Sequence, residues 1–309
     1  MPPRTDESSR VFAVLNPMAG TSVAADVRQA LGRFFNGRCE IYETTGSESE
    51  DVTTIVCEAL ERGFAMAVAA GGDGTVSQVA AALVGTDTPL GIIAVGTANV
   101  FAQELGLPLD LEGACSLLAG RHATTKVDVM KTHDRCFVLQ IGIGIDSLMI
   151  RDTDRESKRR FGRAAYLWTA FTRLVGYQPV RFTIAADEKH MRRRALQVLL
   201  ANGGVLGLAP FRWGPNIRPD DGRIDVCIVY ARTALDYIAL VWHTLLGQQH
   251  RDRGIRYLSA ERSVNVSTDP PLPVQADGEI IGDTPLQVHI VPGALHVVVP
   301  EAQQDHDIT

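Results

Sequence analysis

Ala69-Ala70-Gly71-Gly72-Asp73-Gly74-Thr75 is the stretch whose reading decides the fold. The apolar run Ala65 to Ala70 leads into it, and Val76, Val79, Ala80, Leu83 and Val84 leave it at a spacing that shares one helix face. A buried strand therefore feeds a glycine turn carrying one carboxylate, and the turn opens a helix at Thr75. Three glycines let the backbone approach a bulky ligand and present its N–H groups as a concave anion site. The helix N-terminus behind them adds partial positive charge where a phosphate would sit. A tight strand-to-helix turn could need such glycines for its backbone angles alone. Asp73 and a second turn, Gly96-Thr97-Ala98-Asn99 after the strand-like run Leu90 to Val95, favour phosphate binding.

Working outward, the first 130 residues alternate strand and helix. Arg10 to Leu15 reads as a strand, and Asn16-Pro-Met-Ala-Gly20 is a turn. Thr21 or Ser22 caps a helix whose apolar face is Val27, Leu31, Phe34 and Phe35. Cys39 to Thr44 is a strand, and Val52, Ile55, Val56, Ala59 and Leu60 mark another helix. Further helices are expected near Asn99 to Leu105 and Leu111 to Ala119. Repeated βα units imply a parallel sheet covered on both faces. Ligands bind such sheets beyond the carboxyl ends of the strands, where all three glycine turns fall.

After about residue 128 the pattern changes. Val127 to Met130, Cys136 to Ile145, Val180 to Ala185, Leu196 to Ala201, Ile224 to Tyr230, Ser263 to Ser267, Leu286 to Ile290 and Leu295 to Val299 are short β-like runs punctuated by Gly, Pro and Asp. Helices are expected near Arg160 to Val175 and Leu235 to Leu246. Many short strands with turn signals indicate an antiparallel sandwich. The expected fold class is an α/β three-layer parallel-sheet nucleotide domain followed by an antiparallel β-sandwich. Residues 1–9 read as a disordered tail, 10–128 as the α/β domain rejoined by 293–309, and 129–292 as the sandwich. The active site is expected in the cleft between the two.

Composition bounds the rest. The chain has 309 residues, of which 45% are hydrophobic and 21% charged. A chain this long favours two domains. It shows no apolar run long enough to span a bilayer and no signal-peptide core near Met1. The five cysteines are scattered without Cys-x-x-Cys, so neither a disulfide framework nor a zinc site is indicated, and a cytoplasmic location fits. A net charge of −6 argues against non-specific nucleic-acid binding. Several phosphate machines are excluded: no Gly-Lys pair exists, so no P-loop, and the first βα turn lacks Gly-x-Gly-x-x-Gly. The protein-kinase motif set is also missing.

Three groups of residues together resemble the bacterial lipid kinases of the diacylglycerol kinase and sphingosine kinase catalytic family. They are Asn16-Pro17…Gly20, Gly71-Gly72-Asp73-Gly74-Thr75, and Gly96-Thr97-Ala98-Asn99…Phe101-Ala102…Leu105-Gly106-Leu107-Pro108. Later matches follow in the family's order: Gly142-x-Gly144-x-Asp146, Gly162…Tyr166, Asn202-Gly203, Pro215-Asn216…Asp221-Gly222…Asp225 and Asp277-Gly278-Glu279. NAD kinases and phosphofructokinases share the Gly-Gly-Asp-Gly-Thr motif; its combination with Gly-Thr-Ala-Asn and Asp-Gly-Glu is specific to the lipid kinases.

The resemblance implies an ATP- and Mg²⁺-dependent kinase that phosphorylates a hydroxyl of a diacylglycerol-like or long-chain lipid. Phosphoryl transfer needs positioning and charge neutralisation more than covalent chemistry. Amides of Gly71, Gly72, Asp73, Gly74 and Thr75, with Asn16, the Gly20 turn, Gly96 and Asn99, would hold the nucleotide, and Asp73 would act through Mg²⁺. The resemblance adds Thr45 and Thr97 as nucleotide contacts. It assigns the general base to Glu279, with Asp277 orienting it or serving the metal; an acidic hairpin turn explains the same residues structurally. It also places Mg²⁺ on Asp221 with the carbonyls of Arg218 and Arg223, Asp220 being the adjacent alternative.

Two positions depart from the family pattern. Many members carry Asp after Gly-Thr-x-Asn, where Val100 stands here, and Glu104 one helical turn on could project toward the same space. The usual Lys or Arg after the first glycine is replaced by Thr21-Ser22-Val23. On the lipid side, Lys158, Arg159, Arg160 and Arg163 lead into Tyr166, Leu167, Trp168, Phe171 and Leu174, which fits peripheral docking on an anionic membrane or a helix packed on the sandwich. The expected partners are a lipid substrate at a membrane surface and, as a homodimer, a second copy, with no nucleic acid. The alternatives are an NAD kinase-like enzyme with a soluble substrate and a catalytically weak nucleotide- or lipid-binding relative.

Overall fold

The computed structural model describes residues 10–20, 24–47, 50–133, 135–152, 178–205, 212–214, 216–230, 236 and 254–301. The first part alternates as expected: β1 (Val11–Leu15), α1 (Ala24–Phe35), β2 (Cys39–Glu43), α2 (Val52–Glu61), β3 (Met66–Gly71), α3 (Asp73–Leu83), β4 (Leu90–Ala94), α4 (Val100–Glu104) and α5 (Leu111–Ala119). Then come β5 (Ala123–Thr132), β6 (Arg135–Phe137), β7 (Gln140–Gly144), α6 (Ile145–Asp152), β8 (Val180–Ala186), β9 (Lys189–Ala195) and β10 (Gln197–Ala201). The described elements end with β11 (Ile224–Val229), β12 (Ile255–Ala260), β13 (Ser263–Asp269), β14 (Pro273–Ala276), β15 (Glu279–Asp283) and β16 (Leu286–Val299).

Two compact units divide the chain. One runs to Val127 and resumes at Gly293; the other is Asp128–Pro292. β5 and β16 each supply residues to both. In the first unit β1 pairs in parallel with β2 and β3, and β3 with β4; Val297 of β16 extends the sheet beside Leu90. Every residue of β1, β3 and β4 is buried, as a parallel sheet covered on both faces requires. Val11, Ala13, Leu15, Val68, Ala70 and Ile93 share a core with Val27, Leu31 and Phe35 of α1 and Ala114, Cys115 and Leu118 of α5. The alternate residues Phe12, Val14, Ala67, Ala69 and Ile92 point to the opposite face, where α2 and α3 pack. Asp51 caps α2 by accepting the Thr54 amide, and Asp110 caps α5 by accepting that of Gly113.

The second unit is an antiparallel sandwich. One sheet runs β12-β11-β10-β7-β14-β15; the other contains the N-terminal half of β16, then β13, β8 and β9. Their inner faces share one core, built from Ile141, Ile143, Val198, Leu200, Val226 and Val274 on one side and Phe182, Ile184, Val264, Val266 and Val288 on the other.

Some elements differ from the sequence reading. Leu286 to Ile290 and Leu295 to Val299 form one strand, because Pro292 and Gly293 interrupt the apolar pattern without ending the strand. The run Cys136 to Ile145 breaks at Val138-Leu139 into β6 and β7, and Ile145 opens α6. The strands β9, β12, β14 and β15 were not anticipated. The expected helices near Arg160 to Val175 and, apart from Asp236, Leu235 to Leu246, the caps Thr21 and Ser22, and the tail 1–9 lie outside the described residues.

Candidate active site

In the first unit three glycine turns come together. A Cβ on Gly20 (φ +65°) would overlap the carbonyl of Val95, and one on Gly96 would overlap the Cα of Gly72 and the Asn99 side chain. A Cβ on Gly71 would overlap the side chain of Thr75. The Asn16 amide donates to Thr75 Oγ1 at 3.4 Å. Asn16, Gly20, Gly71 to Thr75, and Gly96 with Asn99 therefore meet at the carboxyl ends of β1, β3 and β4. Gly74 differs from the others. It lies exposed in the first turn of α3, and a Cβ there would meet no atom of the described residues within 4 Å.

Asp73 grips the third turn. Its Oδ1 accepts the Phe101 amide at 3.2 Å, with Val100 and Asn99 amides adding to the interaction. Burial raises the Asp73 carboxyl above its ordinary range against the opposing effect of these amides. Asn99 sits in the left-handed region (φ +51°), donates to the carbonyls of Ala94 and Gly96, and leaves its buried Oδ1 without a hydrogen bond. Val100 opens α4, and Glu104 closes it half-buried. Thr45 belongs to a loop cinched by Glu50, whose carboxylate accepts the Thr45 and Gly46 amides and the hydroxyls of Thr45 and Tyr42. Thr97 lies exposed in the Gly96 turn.

In the second unit Asp277 and Glu279 part company. Asp277 (φ +46°) accepts three consecutive amides, Val138 at 3.1 Å, Leu139 at 3.2 Å and Gln140 at 2.9 Å, and its own amide donates to the Gln140 carbonyl. The Leu139 carbonyl on the other side accepts the amides of Asn202 and Gly203. The fully buried Asn202 side chain also donates to the carbonyls of Asp128 and Val138. Asp277 was expected to orient Glu279 or serve the metal; its carboxylate holds the loop between β6 and β7.

Glu279 is left exposed. Its Oε2 lies 3.3 Å from the Arg135 guanidinium, which stacks 5.2 Å over the Phe137 ring. Gln275 supports the turn, accepting the Gly278 amide at 3.1 Å and donating to Asp146 Oδ2 at 3.1 Å. Burial pushes the Asp146 carboxyl up to about 6 against its bonds from Gln275 and the Ser147 amide. Gly142 is required here, because a Cβ would collide with Asp146 and Gln275. Sequence reasoning missed Arg135 and Gln275. Gln275 carries a signal, being a buried polar residue on the strand that leads into Asp-Gly-Glu; Arg135 carries none.

Around Arg218 to Arg223, Arg218 holds Asp220 through two bonds of 2.9 Å, so Asp220 is committed and Asp221 remains. Asp221 Oδ1 accepts the Arg223 amide at 3.1 Å, and Asp128 clamps the loop by accepting the Gly222 amide at 2.6 Å. Burial raises Asp221, with Asp128 and Asp220 adding repulsion. Asp225 is pushed up to about 6 by burial and then by Asp221. Arg223 offsets part of this repulsion at both Asp221 and Asp225, and their hard oxygens are of the kind that suits a divalent cation. Among the described residues no group of three or more His, Cys, Asp or Glu is gathered as a metal site.

The diacylglycerol kinase catalytic domain matches residues 10–132, and the YegS C-terminal NAD kinase beta sandwich-like domain matches residues 140–299. The chain belongs to this diacylglycerol kinase family. It is a kinase whose acceptor is an alcohol group. Among curated relatives, the "Probable lipid kinase YegS-like" of Pseudomonas aeruginosa (strain UCBPP-PA14) is 32% identical over 82% of this chain and 82% of its own. A diacylglycerol kinase of Mycobacterium tuberculosis is 27% identical over 96% of this chain and 97% of its own. A crystal structure of a diacylglycerol kinase from Bacillus anthracis str. Sterne superposes with a TM-score of 0.77 at 26% identity, covering 95% of this chain and 98% of that one.

Proposed function

We propose that this kinase transfers the γ-phosphoryl group of ATP, with Mg²⁺, to a hydroxyl of a diacylglycerol-like or long-chain lipid. The observation that carries this reading is the meeting of three glycine turns at the N-terminus of α3, with open space beside Gly74. Glycine in a helix costs roughly 0.5–1 kcal/mol relative to alanine, and no packing among the described residues calls for it at Gly74. A phosphate seated on the helix N-terminus does.

The amides of Gly71 to Thr75, with the Gly20 and Gly96 turns, would hold the phosphates; Asn16, Thr97 and Asn99 border the same place and Thr45 the nucleotide's far side. Asp73 keeps the Gly96 to Phe101 turn in position through its amide bonds. Mg²⁺ when bound neutralises phosphate charge, and Asp221 with the carbonyls of Arg218 and Arg223 is the donor set proposed for a metal. Glu279 takes the proton of the lipid hydroxyl as its oxygen bonds to the γ-phosphorus and the bond to the bridging oxygen breaks, leaving ADP. Arg135 keeps the Glu279 carboxylate turned toward that proton. Glu104 stands in for the carboxylate missing at Val100; Glu104→Gln with unaltered nucleotide affinity and turnover would remove that role.

The test is a screen of lipid extracts with ATP, followed by mass spectrometry, with Asp73→Ala alongside. A lipid gaining one phosphate with the wild type and not with the variant supports the proposal. Phosphorylation of NAD with no lipid product would replace it with a soluble-substrate kinase. Gly74→Ala refines the reading: nucleotide affinity falls, while the thermal midpoint holds or rises.

A further inference from the structure

The outer face of the sheet formed by β16, β13, β8 and β9 is wet. Directly paired residues of neighbouring strands point the same way, so the register of β16, β13, β8 and β9 lays out that face in rows. Arg194 stands beside Arg181 and Asp269; Arg192 beside Thr183 and Ser267; His190 beside Ala185, Asn265 and Gln287; Ser263 beside His289. Small side chains in the middle leave a trough of about 680 Å³ walled by His289, Gln287 and His133. A second hollow of about 450 Å³ lies among Arg181, Arg192, Arg193 and Arg194.

Charge is segregated here. The chain as a whole carries −6, yet Lys189 to Arg194 has no acid; Arg192 and Arg194 stand in these rows, while Lys189 and Arg193, paired with Ala186 and Phe182, fall on the alternate side of the strand. The face bears one carboxylate, Asp269, 3.8 Å from Arg181, and no carboxylate pairs with Arg192 or Arg194 among the described residues. Charged side chains protect an edge strand such as β9 from pairing, but either sign gives that protection, so it does not select arginine at both Arg192 and Arg194. Because salt screens beyond about 10 Å, a bound surface senses this local excess and not the net charge.

We propose that this face of β16, β13, β8 and β9 docks the protein on an anionic lipid bilayer, with lipid phosphates seated among Arg181, Arg192 and Arg194. The choice of a bilayer as partner rests on the lipid-kinase reading above. No Phe, Tyr or Trp stands in these rows to give a base a broad stacking platform, which disfavours a single-stranded nucleic acid.

The experiment measures co-sedimentation of the full chain with phosphatidylglycerol-containing and pure phosphatidylcholine vesicles across a salt series, for wild type and Arg192→Ser/Arg194→Ser. The wild type binds the anionic vesicles alone, and binding fades as salt rises. The double variant binds them about twenty-fold more weakly at an unchanged thermal midpoint. Both phosphorylate diacylglycerol in neutral detergent micelles equally. Equal vesicle binding by the two proteins, salt-insensitive binding, or binding of duplex DNA in place of vesicles would overturn the docking surface. Loss of micellar phosphorylation in both, with the vesicle difference intact, would overturn the lipid-kinase reading and uphold the surface.

Discussion

Two hairpins of the sandwich are built on one device and used differently. Asp187 and Asp277 each sit at positive φ (50° and 46°) as the first of two turn residues, between the pairs Ala186–Lys189 and Ala276–Glu279. Each aspartate accepts three consecutive amides, Glu261 to Ser263 in one case and Val138 to Gln140 in the other. The residue closing the turn differs. Lys189 opens the basic strand; Glu279 presents a carboxylate beside Arg135. The Asp187 hairpin has no part in the proposed chemistry, so the aspartate of Asp-Gly-Glu plays a structural role that any hairpin can demand. What sets the second hairpin apart is Glu279 and the Gln275–Asp146 support beneath it.

Removing the two latches tests this likeness. Asp277→Ala is expected to lower stability by about 2–3 kcal/mol, since it frees three partly buried amides. Asp187→Ala, with two of its three bonds exposed, is expected to cost about 1 kcal/mol and leave lipid turnover in micelles unchanged. Chemical denaturation read with turnover checks both; a turnover loss in Asp187→Ala would break the comparison. The second turn residues come next. Gly278 has φ +92°, so Gly278→Ala should cost about 1–2 kcal/mol, whereas Glu188→Ala should stay within about 0.5 kcal/mol.

The pH dependence of the two hairpins has opposite sign. The Ser263, Glu261 and Arg262 amides hold Asp187 below the usual carboxylate range, so its contribution is present above the unfolded value and is lost as pH falls through the folded one. Asp146 has its carboxyl raised to about 6, so the folded state binds the proton more tightly than the unfolded chain. Its contribution is full below about 4 and is lost as pH rises through about 6. Asp146→Asn should flatten the stability profile in that window, and Asp187→Asn should flatten it below about 4. Thermal midpoints across pH 3 to 7 (roughly the span of these carboxylates) read both.

The contrast between the units also explains what could be read from the chain. Ala65 to Ala70 and Leu90 to Val95 announce β3 and β4 because strands buried on both faces must be continuously apolar. The glycine turns were legible because backbones in contact, Gly20 on Val95 and Gly96 on Gly72, exclude every other residue. Strand β9 was illegible: with Lys189, His190, Arg192, Arg193 and Arg194 exposed, it has no apolar alternation. Strand β15 was hidden likewise, being exposed along most of its length. In the site, the latch formed by Asp277 was not legible, because the amides it binds lie some 140 residues earlier and leave no local trace. Arg135, at a similar separation from Glu279, escaped for the same reason.

The most direct measurement is transfer of label from γ-labelled ATP to diacylglycerol in neutral micelles by wild type and Glu279→Gln, with thermal midpoints taken on the same preparations. If Asp277 holds and Glu279 reacts, the variant loses about 10²–10⁴ in kcat at an unchanged midpoint, since Glu279 is exposed and bonded only to Arg135 among the described residues. Wild-type turnover in Glu279→Gln would contradict the account.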